Sequence, residues 1–203
     1  FLFLLPLFAN AESAGFLGDN IWYSRDPFFA GDNVRIYSAV FNSTEWDIGG
    51  TIEFLDNGNV LGSADFSVER GGNLTKVWID WQVSEGEHKI SAKIKKARVT
   101  TPGSENTSLE FLKVSTSESV RFAYVNTDGD SLADKDDSDD DNDGASDEEE
   151  GKIGTDSREA NTEKELAEAR EDYKKIAEEN SVKKVDDPIY STTEELKEKA
   201  ENA

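Results

Sequence analysis

The run from Asn126 to Glu150 constrains this chain more than any other feature. It reads NTDGDSLADKDDSDDDNDGASDEEE, with ten Asp, three Glu and one Lys, and so carries −12 of the chain's net charge of −22. Carboxylates at this density repel one another, and the more so wherever water is excluded. The run therefore either stays solvated or folds around cations. Asp on alternate positions with Gly at the turns favours cations, because hard ions take six to eight oxygen ligands from loops of this kind.

The remaining composition says where a core can form. Hydrophobic residues make up 35% and charged residues 33% of the 203, too polar for one core along the whole length. Trp22, Trp46, Trp78, Trp81 and the Phe residues lie before residue 126, so the packed domain belongs to the first part. A pI near 4.3 argues against nucleic acid as a partner, since phosphate binding needs a basic footprint, and against attraction to anionic lipid. With no Cys there are no disulfides, thiolate metal sites or cysteine nucleophiles. Secretion stays open, because calcium can staple an exported protein in place of disulfides.

Phe1 to Phe8 (FLFLLPLF) is a short apolar run, and Ala9-Asn10-Ala11 fits the small-x-small pattern cut by signal peptidase. We read residues 1–11 as the remnant of a signal peptide and expect the mature chain to start near Glu12, outside the cytoplasm. A buried strand and a membrane anchor are the alternatives; the run is far shorter than the roughly 20 residues that a span needs.

From Ile21 to about Tyr124 short strands alternate with turn signals. Val34 to Phe41 alternates, and Ile52 and Phe54 share a face before Asp56-Asn57-Gly58-Asn59 turns the chain into Val60 to Val68. Val77, Ile79, Trp81 and Val83 form one period-two face, and His88, Ile90, Ala92 and Ile94 another. Leu109 to Val114 and Val120 to Tyr124 supply the last strands. The fold class expected is mostly β, an immunoglobulin-like antiparallel β-sandwich over residues 20–125, each sheet with one solvated face. Trp81, Gly86, His88, Ile90 and Ala92 in WQVSEGEHKISAKI, with Phe29-Ala30-Gly31-Asp32-Asn33-Val34 earlier, resemble the CARDB-type immunoglobulin-like domains of prokaryotic surface proteins. That resemblance implies an extracellular binding or spacer module without a catalytic constellation.

Beyond the acidic run, Glu163 to Asn180 reads as a helix. Thr162 with Glu165 makes a capping box, and Leu166, Ala169, Tyr173, Ile176 and Ala177 lie along one stripe. After Val185-Asp186-Asp187-Pro188, Ser191 with Glu194 starts a second helix. The stripe is narrow, so residues 162–203 are expected to form a helical stalk, a weak coiled coil or a solvated single helix.

Within the run, Asp139 to Glu150 meets a twelve-residue calcium loop position by position. Asp139, Asp141 and Asp143 stand at positions 1, 3 and 5, Gly144 at 6, the Ala145 carbonyl at 7, Asp147 at 9 and Glu150 at 12. Asn126 to Asp137 is a second copy: Asn126, Asp128 and Asp130, the Leu132 carbonyl, Asp134 and Asp137. Ser131 replaces Gly at its position 6, so this copy is expected to bind more weakly or to share Asp136, Asp137 and Asp139 with its neighbour. The tandem spacing, followed by Gly154-Thr155-Asp156, resembles bacterial thrombospondin type 3 repeats over residues 126–157. The resemblance implies an extracellular, rigid connector that binds several calcium ions. An acidic disordered tail and a helix-loop-helix sensor are the other readings. A sensor needs an entering helix, whereas Ser119 to Val125 is β-rich.

Candidates for catalysis are few. His88 is the only histidine and reads as a half-buried strand residue, and no nucleophile elbow or phosphate loop accompanies it. Trp22, Tyr23, Trp46 and Trp78 are either a sugar-stacking surface or ordinary packing. Asn42-Ser43-Thr44, Asn73-Leu74-Thr75 and Asn106-Thr107-Ser108 match the glycosylation sequon at chance level. The reading that follows is a secreted or cell-surface, non-enzymatic structural or adhesive protein. Its partners are calcium and a surface protein or polysaccharide, with membrane contact only through an anchor outside residues 1–203. The alternative is a carbohydrate-binding or accessory module of a larger secreted hydrolase.

Overall fold

Asn57 and Gly58 both have positive φ, 50° and 80°, and Asp56 pairs with Asn59 across them. This is the two-residue turn whose twist matches that of the flanking strands, and it starts a hairpin where the Asn-Gly pair stands. The computed structural model describes residues 13–185, divided after Val125 into two compact units that are treated separately. The signal peptide remnant expected at residues 1–11 and the helix expected from Ser191 both lie outside the described residues.

The first unit contains β1 (Ala14–Phe16), β2 (Trp22–Tyr23), β3 (Asn33–Asn42), β4 (Ile48–Asp56), β5 (Asn59–Val68), β6 (Asn73–Gln82), β7 (Gly86–Val99), β8 (Phe111–Lys113) and β9 (Ser119–Ala123). In one sheet β3 pairs with β6 along its whole length and with β2 and β1 at opposite ends of its other edge. The second sheet runs β5-β4-β7-β9, with every pair antiparallel. The chain is thus mostly β, as its alternation implies. Val34, Ile36, Val40, Val77 and Trp81 from the first sheet and Ile48, Ile52, Phe54, Phe66, Ile90 and Ala92 from the second share one buried core. Alternate residues such as Trp78, Asp80 and Lys93 are exposed, which is the expected pattern for sheets with one solvated face.

Two details depart from the sequence reading. β1 lies before residue 20, where the sandwich was expected to begin, and is wholly buried. It pairs parallel with β8, so the fold is not purely antiparallel. Three-residue strands carry too little alternation to be seen in a sequence, and only Phe111–Lys113 of the expected Leu109 to Val114 is strand. Gly15 is needed there, because its φ is 139° and a Cβ would stand 2.5 Å from the Lys113 carbonyl oxygen.

The Phe29-Ala30-Gly31-Asp32 segment turns the chain into β3. Asp32 Oδ2 accepts the Phe29 N–H at 2.9 Å, its Oδ1 pairs with Arg25 at 2.7 Å, and its carbonyl accepts the Val83 N–H. His88 is buried, not half-buried: Nδ1 lies 2.7 Å from Asp56 Oδ2 and Nε2 2.8 Å from the Ser84 carbonyl. Nδ1 thus ties β7 to the end of β4, and Nε2 ties it to the β6–β7 connection. Asn42, the first sequon residue, is also internal, its amide donating to the Trp46 and Val68 carbonyls.

The second unit holds α1 (Asp147–Ile153) and α2 (Glu163–Val185). At the start of α2 Thr162 and Glu165 exchange hydrogen bonds as a capping box, Thr162 N–H to Glu165 Oε2 at 2.8 Å and Glu165 N–H to Thr162 Oγ1 at 3.3 Å. Of the expected stripe only Leu166 is buried, while Tyr173 and Ile176 are exposed. Among the described residues α2 is anchored through its first two turns and is supported further along by pairs such as Lys175–Asp172.

Candidate metal centre

The acidic run owes its shape to carboxylates that bind their own backbone. Asp128 Oδ1 accepts the Asp130 N–H, Asp130 Oδ1 the Leu132 N–H, Asp141 Oδ1 the Asp143 N–H and Asp143 Oδ1 the Ala145 N–H. These two-residue turns suit Asp; Asp141 Oδ2 stays unpartnered, while Asp128 Oδ2 accepts from the Asn142 amide at 3.1 Å and Asp143 Oδ2 from the Asn161 N–H at 2.8 Å. Two triads result: Asp128, Asp130 and Asp137, and Asp139, Asp141 and Asp143, with ligand atoms in each within 4.8 Å of one another. Each could hold a metal ion. Asp137 thus belongs with the first loop and Asp139 and Asp141 with the second, whereas Asp136 pairs with Lys135.

The two loops differ at position 1 and in their backbone. Asn126 closes a turn, Oδ1 accepting the Gly129 N–H at 2.8 Å and Nδ2 donating to the Asp130 carbonyl at 3.1 Å. Asp139 accepts the Gly144 N–H on Oδ2 at 3.1 Å and keeps Oδ1 sealed from solvent without a partner. Positive φ falls on Gly129 in the first loop, and on Asn142 and Gly144 in the second.

At position 9 the expected ligands Asp134 and Asp147 are engaged by the backbone of their own loops. Asp134 spends both oxygens on Thr127, from its N–H at 2.8 Å and its hydroxyl at 3.0 Å, and also pairs with Arg158 Nε at 3.0 Å. In the second loop Asp147 Oδ1 likewise accepts the Asp140 N–H at 3.0 Å. The position-9 carboxylates staple the two ends of each loop together. Ligation through a bridging water is the usual alternative at this position.

Position 12 of the second loop is the most informative. Glu150 lies in α1, which starts on the Ser146 side chain accepting the Glu149 N–H at 3.3 Å and ends on Gly154 at φ 85°. It is fully buried; Oε1 accepts the Thr155 hydroxyl at 3.1 Å and Oε2 accepts nothing. Burial, opposed in part by that hydrogen bond and reinforced by the charges of Asp141, Asp143 and Asp147, pushes its pKa up. Asp141 is raised for the same first reason, with the Asp143, Asp139 and Asp147 charges adding, and its Oδ2 is also sealed and unpartnered. Asp140 is raised by burial and by Asp134 and Asp147, against the pull of Arg158 at 3.6 Å.

Three features were missed in the sequence. The Ser146-x-x-Glu149 pair and Gly154 are the start and stop signals of α1, which is too short to show a helical period. Arg158 is the only basic residue between Lys152 and Lys164, and chain folding brings it onto Asp134 and Asp140. Asn161, whose N–H donates to Asp143 Oδ2 at 2.8 Å, gave no local signal.

The first unit carries one further surface. Trp22, Tyr37 and Trp78 occupy adjacent register positions on β2, β3 and β6, with ring centroids 5.6 and 6.5 Å apart. Lys76 stands 4.8 Å from the Tyr37 ring centre and Arg35 5.6 Å from that of Trp78. No known family model, curated protein or solved structure matches the chain.

Proposed function

We propose that residues 126–157 form a calcium-binding module of a secreted or cell-surface structural or adhesive protein, and that the sandwich, immunoglobulin-like in kind, is its spacer or binding domain. The observation that carries the calcium reading is Glu150, a fully buried carboxylate with an unpartnered oxygen at position 12 of the loop whose positions 1, 3 and 5 form the Asp139, Asp141 and Asp143 triad. An all-oxygen donor set without His or Cys fits calcium over the softer transition metals. Calcium neutralises the convergent carboxylates and stiffens the segment that follows the sandwich. Extracellular modules bind calcium with dissociation constants of about 10⁻⁴ to 10⁻³ M, the range expected of this one if it is exported.

Calorimetric titration of the intact protein tests this reading. Calcium is expected to bind with heat, and Asp141→Ala together with Asp143→Ala to remove the tighter step; no heat, or heat unchanged in that variant, overturns it.

The row of exposed Trp22 and Trp78 with half-buried Tyr37 between them favours one second reading, a polysaccharide-binding face on the sandwich. Exposed aromatic edges flanked by Arg35, Lys76 and Asp80 offer both stacking and hydrogen bonds to sugar hydroxyls. Glycan binding that is lost in Trp78→Ala supports it, and binding unaffected by that change removes it.

A further inference from the structure

Asn161 lies in the segment between α1 and α2, and no loop position assigns it a role. Its N–H donates to Asp143 Oδ2, which sets the residue against the second loop. Its Oδ1 is sealed from solvent and accepts no hydrogen bond, as are Asp139 Oδ1, Asp141 Oδ2 and Glu150 Oε2. A sealed acceptor without a donor is costly, and one such oxygen in a protein calls for a physical reason. Here there are five among the described residues of this unit: Asp140 Oδ1, on the carboxylate that pairs with Arg158, and four from the loop, from α1 and from the α1–α2 segment. A hard cation satisfies carboxylate and carboxamide oxygens alike. An amide also adds a ligand without adding charge, an advantage beside Asp139, Asp141, Asp143 and Glu150.

We propose that Asn161 is a direct ligand of the cation held by the second loop, so that ion binding pins the start of α2. The inference rests on the calcium reading above. The neighbouring Thr162 caps α2 through Glu165, and Leu166 one turn on is buried. A pull on Asn161 therefore reaches the first turn of the helix directly. The calcium loop thereby closes over a residue eleven positions beyond its own last ligand.

The test uses the full chain loaded with calcium and, separately, with terbium. Luminescence lifetimes in H2O and D2O count the waters on a bound terbium ion, and Asn161→Ala is expected to admit about one more, as the ion keeps its coordination number. The tighter calcium affinity should fall by at least the tenfold or so that even outer partners of a metal site are worth. Hydrogen exchange at Leu166 should slow on calcium addition in the wild type and much less in the variant. Asn161→Asp should keep the wild-type water count and affinity at least as high. An alanine variant with wild-type affinity and water count overturns the proposal; if that variant does not fold, an aspartate variant with an added water does so. A wild-type protein that binds no calcium is a different result, because it removes the calcium reading itself.

Discussion

Asp19, Glu53 and Asp80 in the sandwich and Asp140, Asp141 and Glu150 in the acidic unit are all carboxylates held by the fold, yet their environments act in opposite directions. Asp19 accepts from Lys113 and from the hydroxyl and N–H of Ser117, which hold its pKa down at about 2. Lys95 and Lys93 lower that of Glu53, and Arg35 that of Asp80 through two hydrogen bonds of 2.8 and 3.3 Å. In the acidic unit burial comes first and neighbouring carboxylates add to it, so Asp140, Asp141 and Glu150 are pushed up. The chain supplies its own cations in the first set. In the second it supplies Arg158 to Asp134 and Asp140 and leaves the Asp139, Asp141, Asp143 and Glu150 group to its mutual repulsion. Asp19, Glu53 and Asp80 thus have basic partners within the chain, while the two Asp triads of the other unit could hold an added ion.

The comparison is broken most forcefully from the sandwich side. Phe54 is fully buried in the shared core, and Phe54→Ala should destabilise the sandwich by about 3–5 kcal/mol. All four Trp lie in this unit, so their fluorescence reports its unfolding by urea. Calcium binding should survive the change; if the calcium heat vanishes with Phe54, the units are not independent. A similar loss is expected for Gly50→Ala, whose Cβ would meet the Lys96 carbonyl oxygen at 2.0 Å.

Chelation works from the other side. At calcium ten times its dissociation constant each site should stabilise the acidic unit by about 1.4 kcal/mol, and a chelator should remove that amount. Helical circular dichroism and protease cleavage within residues 126–185 should respond, while Trp fluorescence stays put. A sandwich that loosens on chelation would contradict the division of labour. Smaller again is Asp137→Ala, which removes one corner of the Asp128 and Asp130 triad. It should weaken only the lower-affinity step of the calcium titration, and loss of the tighter step instead would show that Asp137 serves the second loop.

What could be read from the sequence tracks how local each cause is. The alternation of Val77, Ile79 and Trp81 located β6, and Asn57-Gly58 the β4–β5 hairpin, because strand faces and turn dihedrals are set by neighbouring residues. The Thr162–Glu165 box marked the start of α2 for the same reason. Asp137 joins Asp128 and Asp130 from the far end of its loop, whereas the Asp139, Asp141 and Asp143 triad followed from side chains two residues apart. The staple role of Asp134 and Asp147 did not, because the same residue type at the same spacing serves as ligand or as loop clamp according to which N–H it meets. β1 against β8, Arg158 against Asp134 and Asn161 against Asp143 are contacts made by folding, and no spacing rule carries them.

The finest prediction concerns protons, measured by NMR titration of side-chain carboxyls in metal-free protein. Asp19, lowered from its ordinary 3.8 to about 2, contributes stability present above pH 3.8 and lost as pH falls through about 2. Asp141 and Glu150 carry the opposite sign. Their pKa values are raised from 3.8 and 4.5, so their contribution is fully present below those ordinary values and is lost as pH rises through the raised ones. The metal-free acidic unit should therefore gain stability from these two groups on mild acidification from neutrality, while the Asp19 contribution is untouched. Calcium requires the ionised carboxylates, so its addition should move both midpoints downward and reverse the trend. Glu150 titrating at or below 4.5 without calcium would mean that its buried oxygen is better satisfied than the geometry indicates, and the contrast between the two sets of carboxylates would fail.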